Sequence, residues 1–198
     1  MTDREITVLE KRALEYIRRE IPSLEEHLLG TRDFALEVYY LQDLKLDVNK
    51  VAVAALCHDL GRLYPPHDIP VELRERGIDP DSFGYVAPIL LHGEFSAELA
   101  REKIGVEDDG VVRAIRIHAT GAAEMSLLDI LIYVADKIEP TRDYPGVEDL
   151  REKARTDLMA AFPDVISSVI RWVVAGKLPL DYNSVAAYNR AIQEIKSP

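Results

Sequence analysis

The chemistry open to this sequence rests on five histidines and a few carboxylates. The densest signal is His58-Asp59, followed by Leu60-Gly61-Arg62. Imidazole and carboxylate together suit iron, zinc, manganese or nickel, although a bare His-Asp pair is also what an ordinary surface offers. Asp136 adds weight, because it lies inside Leu127-Leu-Asp-Ile-Leu-Ile-Tyr-Val-Ala-Asp-Lys-Ile138. Burying an unpaired carboxylate is very costly, so this one requires a metal ion, an arginine partner or an edge position facing water. His118 ends the stretch Val111-Val-Arg-Ala-Ile-Arg-Ile-His118, His92 follows Ile89-Leu-Leu, and His27 sits in Leu24-Glu-Glu-His-Leu-Leu29. Singly, each reads as an ordinary histidine. Jointly, their positions at helix ends or beside apolar faces favour metal ligation. His67, in a Pro-rich loop, has no such support and is left out.

These side chains must be delivered by helices, since strand signals are poor and Gly and Pro act mainly as helix punctuation. A first helix is expected over about Thr7–Glu20. Ser23-Leu-Glu-Glu26 reads as a capping box opening a second helix, which carries His27 to about Leu41. Asp47 caps a third, from Val48 to about Leu60. Adjacent helical residues point about 100° apart, so His58 and Asp59 can share a metal only where that helix ends or widens, which Gly61 permits. After a short helix ending at Gly77, further helices are expected over His92–Ile104, Asp109–His118, Ser126–Ile138, Val147–Arg155, Thr156–Gly176 and Ser184–Ile195, with Pro163 as a kink point. Gly61 and Gly121 read as helix-end features. The fold expected is an all-α, irregular helical bundle.

Its 198 residues suit one domain, 1–198, with a core over about 22–195 and an added N-terminal helix. The charged opening MTDREITVLEKR argues against a signal or transit peptide, and no apolar run is expected to reach the roughly 18 residues of a membrane helix. A single cysteine, Cys57, fits a reducing cytosol and reads as a small apolar helix residue. A formal net charge of −11 opposes binding to nucleic acid or anionic membranes. It leaves room for a small polyanion, because metal ions and a few arginines can reverse the field locally. Arg62, Lys137 and Arg142 are the cations nearest the candidate ligands in sequence, and arginine grips phosphate bidentately. There is no phosphate-binding Gly-Lys-Ser/Thr loop and no dinucleotide fingerprint. Trp172 reads as a core or oligomer contact rather than a base-stacking platform.

The order His27, His58-Asp59, His92, His118, Asp136 resembles the HD phosphohydrolase superfamily, in its six-ligand, dinuclear branch. More narrowly, His118-Ala-Thr-Gly121, Met125-Ser126, Tyr133-Val-Ala-Asp136, Ile138-Glu-Pro140, Arg142 and Tyr144-Pro-Gly-Val147 resemble the YqeK-type HD-domain symmetrical diadenosine tetraphosphatases. Thr156-Asp157-Leu158 and Ala187-Tyr188-Asn189 fit the same pattern. His58-Asp-Leu-Gly-Arg62 and His92-Gly-Glu-Phe-Ser-Ala97 depart from it beside the ligand positions.

The resemblance implies cleavage of diadenosine tetraphosphate to two ADP by a hydroxide bridging two metals, iron foremost, with manganese, zinc, nickel or cobalt as alternatives. Asp59 would bridge the metals and, with Arg62, form the catalytic pair. His27, His58 and Asp136 would complete one metal's shell, with His92 and His118 on the other. Arg62, Lys137 and Arg142 would bind substrate phosphates. The partner implied is a small nucleotide, with no nucleic acid and no membrane, in a cytoplasmic protein that could form a homodimer. Two other readings stay open: an HD phosphohydrolase or phosphodiesterase acting on another nucleotide, and a nucleotide sensor without catalysis.

Overall fold

The computed structural model describes residues 6–196, so the charged opening through Glu5 lies outside the described residues. Those residues form ten α-helices joined by short turns, with no strand among them. The irregular helical bundle expected from the sequence is the architecture found.

The helices are α1 (Val8–Glu20), α2 (Glu25–Leu41), α3 (Val48–Cys57), α4 (Ile69–Glu75), α5 (His92–Leu99), α6 (Asp109–Ile117), α7 (Leu127–Ile138), α8 (Val147–Thr156), α9 (Leu158–Ala175) and α10 (Tyr182–Lys196). Several starts are set by side chains that accept from otherwise free N–H groups. Asp47 caps α3 through Asn49 N at 2.8 Å, and Asp108 caps α6 through Val111 N at 3.0 Å. Ser126 and Asp129 form a reciprocal capping box at α7.

Two helices are apolar nearly all round and so must lie inside. Every residue of α3 from Val51 to Cys57 is buried, as is every residue of α7 from Leu128 to Asp136. Helix α2 packs on α3, α7 and α8, α5 pairs with α6, and α9 packs on α7, α8 and α10. Helix α1 lays Ala13 and Ile17 into the same core.

Four local expectations need correction. Ser23 forms no capping box: Pro22 opens a 3-10 turn over Pro22–Leu24, and α2 starts after Leu24 without a side-chain cap. Helix α3 stops at Cys57, ahead of the His-Asp pair rather than after it. The helix from His92 stays α-helical only to Leu99 and then widens into a π turn over Ala100–Ile104, before Gly105 at φ 87°. The 18 residues of α9, mean hydropathy 1.5, are long and apolar enough to cross a membrane, contrary to the expectation that no run would be. That helix nevertheless carries Asp164 and Arg171, and it runs on through Pro163.

Candidate metal centre

One device places three of the four convergent histidines. The last turn of a helix leaves carbonyls without N–H partners. His58 follows α3, His118 follows α6, and His92 follows the 3-10 turn Pro88–Leu91. Each ring returns to the carbonyl three residues back: His58 Nδ1 to Ala55 O at 2.7 Å, His92 Nδ1 to Ile89 O at 2.6 Å, and His118 Nδ1 to Ile115 O at 2.7 Å. A carbonyl only accepts, so Nδ1 carries the hydrogen and Nε2 presents a lone pair. His27, within α2, has its Nδ1 3.0 Å from Glu139 Oε1.

The four Nε2 atoms meet as two pairs. His27 and His58 approach to 3.1 Å, and His92 and His118 to 3.0 Å. With Nδ1 as the donor, neither pair has a hydrogen to share so long as its rings are neutral, and a proton or a metal ion must come between them. Asp59 stands between the pairs. Its Oδ1 lies 3.2 Å from His92 Nε2 and 3.3 Å from His118 Nε2. Its Oδ2 lies 3.6 Å from His27 Nε2 and 3.7 Å from His58 Nε2. Asp136 faces only the first pair, with Oδ1 3.3 Å from His27 and 3.6 Å from His58. Asp59 can face both pairs because the chain leaves helical geometry at that residue, φ −111° and ψ 16°.

The electrostatics demand positive charge here. Burial alone lowers the His27 imidazole, yet the carboxylates of Asp136, Asp59 and Glu139 outweigh it and raise its pKa to about 10. Burial likewise pushes the Asp59 and Asp136 carboxyls up. The surrounding imidazoles of His58, His118, His27 and His92 outweigh that and hold Asp59 well below the usual range, and Lys137, His27 and His58 do the same for Asp136. His118 is driven the other way, down to about 4, chiefly by burial, so it stays neutral and able to ligate. Asp59 Oδ1 is buried without a hydrogen-bond partner. Paired imidazole lone pairs, an orphaned carboxylate oxygen and a local need for cations together fit a metal ion. Three overlapping groups drawn from His27, His58, Asp59, His92, His118 and Asp136 could each hold one.

The three candidate phosphate-binding cations border this cluster. Arg62 Nη1 lies 3.2 Å from Asp59 Oδ2. Lys137 pairs with the Asp136 carboxylate. Arg142 reaches Asp136 Oδ1 at 2.7 Å and donates through Nε to Asp136 O at 2.9 Å. Asp136 thus has the arginine partner that was one of the compensations open to it, with Lys137 and two imidazoles beside it. All three cations line a cavity of about 900 Å³ whose floor includes His92, His118 and Asp136. His67 is exposed and pairs with Asp68 at 3.3 Å. The cavity lining includes Arg62 but no residue of the Pro-rich loop 63–70.

Some contributors escaped the sequence reading. Glu139 is fully buried and orients His27, and it is itself held by Thr141 N at 2.7 Å. Gly30 makes its approach possible, since a Cβ there would sit 2.5 Å from Glu139 Oε2. Arg151 donates to the carbonyls of Ile138, Glu139 and Arg142 at 2.7, 2.9 and 2.5 Å, fixing the turn that carries Glu139 and Arg142. The signal available for Glu139 was its place three residues past Asp136, at the end of an apolar helix. Gly61 has a different role from the one expected. Its φ is not positive, and its importance is space, because a Cβ would meet His92 O at 2.6 Å. Gly121, at φ 72°, is a turn residue as expected. Trp172 is not a core residue: 69% of it is exposed, and it lines the cavity.

Helix-end histidines around an aspartate, in an all-α bundle with a cation-rimmed cavity, define a helical protein with a candidate metal centre beside an anion-suited cavity. A family model described as HD domain matches residues 24–141, and the chain belongs to the HD domain family. It is 34% identical over 171 residues to a protein of Halalkalibacterium halodurans named bis(5'-nucleosyl)-tetraphosphatase, symmetrical, covering 86% of this chain and 90% of that one. A protein of the same name from Bacillus subtilis is 30% identical over 163 residues, covering 82% and 86%. A crystal structure from Clostridium acetobutylicum, described as a predicted HD superfamily hydrolase involved in NAD metabolism, superposes with a TM-score of 0.83 at 30% identity. It covers 93% of this chain and 97% of that one.

Proposed function

We propose that this protein is a metal-dependent phosphohydrolase that cleaves diadenosine tetraphosphate symmetrically to two ADP. The observation that carries the reading is the division of Asp59. One oxygen faces the His92–His118 pair and the other the His27–His58 pair, beside a cavity rimmed by Arg62, Lys137 and Arg142. The substrate comes from the names of the relatives in Halalkalibacterium halodurans and Bacillus subtilis.

Two divalent or mixed-valence ions, iron foremost, would be held by His27, His58 and Asp136 on one side and His92 and His118 on the other, with Asp59 shared. Ions bound there supply Lewis acidity toward a phosphoryl oxygen and acidify water at neutral pH. The remaining work belongs to the protein. Arg62, Lys137 and Arg142 offset the charge of the polyphosphate and orient it over the cluster, since phosphoryl transfer is governed by positioning and charge stabilisation. Glu139 and the carbonyls of Ala55, Ile89 and Ile115 keep each Nε2 aimed inward, as partners behind metal ligands do. No protein nucleophile is required, so hydrolysis is direct. The reading takes the chain as one HD domain acting on a small nucleotide in the cytoplasm, with a homodimer as its assembly.

Asp59→Ala tests the reading. Metal content and turnover of diadenosine tetraphosphate are measured on the same preparation. Loss of both is expected, and an intact metal count with full turnover contradicts it.

A further inference from the structure

One wall of the site cavity is a single face of α9. Asp164, Ser168, Arg171 and Trp172 line it, at offsets of four, seven and eight residues, which is one side of a helix. Eight residues at 1.5 Å rise carry that wall about 12 Å along the axis. On the opposite side of α9, Ile166 is fully buried and anchors the helix. The cations Arg62, Lys137 and Arg142 and the imidazoles of His92 and His118 lie in the same cavity. The same lining also includes the apolar or aromatic side chains of Tyr144, Pro145, Leu150 and Val169.

A single exposed hydrophobic residue is ordinary on a protein surface. Trp172 differs in sharing a concave wall with the reacting centre. At about 900 Å³ the cavity lies near the upper end of small-molecule sites, far more than a phosphoanion fills. Cations and an exposed aromatic ring lining one cavity match a ligand with an anionic part and a flat π-surface. A nucleotide has both.

We infer that Trp172 is the stacking surface for a nucleobase of the substrate, with the polyphosphate directed from there toward Arg142 and the histidine cluster. The inference rests on the nucleotide-hydrolase reading above. It makes Trp172 a binding residue and not a catalytic one: it holds the base and leaves the chemistry to the cluster. Stacking tolerates any base face, so Trp172 would add affinity without choosing among bases.

Trp172 is the only tryptophan of the sequence, so its emission reports this site alone. The manganese-loaded protein is titrated with ADP and, separately, with inorganic tripolyphosphate, which has charge but no base. Calorimetry measures binding in parallel. Saturable quenching by ADP is expected, with little change from tripolyphosphate. Trp172→Ala should raise KM for diadenosine tetraphosphate about tenfold, in keeping with the usual strength of base stacking, and leave kcat within about twofold. Trp172→Phe should recover most of the loss. Turnover of 4-nitrophenyl phosphate, which carries no nucleobase, should be far less affected than KM for the dinucleotide.

ADP that binds by calorimetry without quenching, or no ADP binding at all, overturns the inference. So does an alanine variant whose defect is a changed sedimentation coefficient and an equal loss on both substrates, which would make Trp172 a contact between copies of the chain. ADP quenching that persists while diadenosine tetraphosphate goes uncleaved supports the stacking role and contradicts only the substrate reading.

Discussion

His92 Nε2 and His118 Nε2 lie 3.0 Å apart, and each ring's Nδ1 already donates to a backbone carbonyl. Two imidazole lone pairs held face to face have no favourable contact with each other. The fold keeps them there because His92 opens α5 and His118 closes α6, two helices that pack together. His118→Ala should therefore lower the metal count by one ion per chain and reduce turnover at least a hundredfold, while the other pair keeps its ion. Elemental analysis beside a turnover assay checks this, and an unchanged metal count contradicts it.

The same pair depends on the close approach of Gly93 to α6. A Cβ at Gly93 would stand 2.4 Å from Arg116 O and 3.6 Å from His118 Nδ1. The first obstacle is backbone and cannot swing aside, so Gly93→Ala must part the two helices. Overpacking of this kind costs about 1–3 kcal/mol. Thermal unfolding should show that loss together with a weakened second metal position. A variant with wild-type stability and metal content would mean that α5 and α6 can shift without disturbing the site.

Glu139 is a positioning residue for His27. Glu139→Gln keeps its size but removes the charge facing His27 Nδ1 at 3.0 Å. Partners behind metal ligands typically contribute 10- to 100-fold in affinity or activity, so a loss in that range is expected for metal affinity. Glu139→Asp should rescue little, being one methylene too short. Metal titration of the two variants checks the claim, and Gln behaving as wild type would reduce Glu139 to a structural acceptor.

Asp136 stood out in the sequence because a carboxylate inside an apolar helix is expensive unless compensated. His58-Asp59 taken alone read equally as an ordinary surface pair, and only the joint pattern of histidines at helix ends pointed to a metal. Glu139 and Arg151 did not, since their roles come from a turn whose shape only the packing of α7 against α8 fixes. Gly30 and Gly93 were equally silent, and Gly61 was read only as a helix-end feature, because their importance is a distance to another element and not a turn. Ser23-Leu-Glu-Glu26 had the right residues for a capping box, but Pro22 opened a 3-10 turn one step earlier. The core reading of Trp172 failed because a tryptophan amid Ile170, Val173 and Val174 looks like core until the helix face is known.

Asp108 gives a test of the scaffold apart from the metals. Its side chain accepts from Lys50 at 2.6 Å and from the α6 N-terminus at Val111 N. The hydrogen bond from Lys50, followed by that from Val111, holds its carboxyl below the ordinary 3.8. A depressed carboxylate stabilises the fold above its unfolded pKa and loses that contribution as pH falls through the folded value. Asp108→Ala should cost about 1 kcal/mol at pH 7, a typical loss for a helix cap. The gap between the two proteins should narrow below about pH 4. Denaturant unfolding at pH 7 and pH 3 measures both, and a gap that widens in acid would contradict the sign.

The reaction itself is tested most directly by its products. Purified protein supplied with manganese or iron is incubated with diadenosine tetraphosphate, and the nucleotides are separated by ion-exchange chromatography. ADP as the sole product is the predicted result. AMP with ATP would mean an asymmetric cut and would contradict the account.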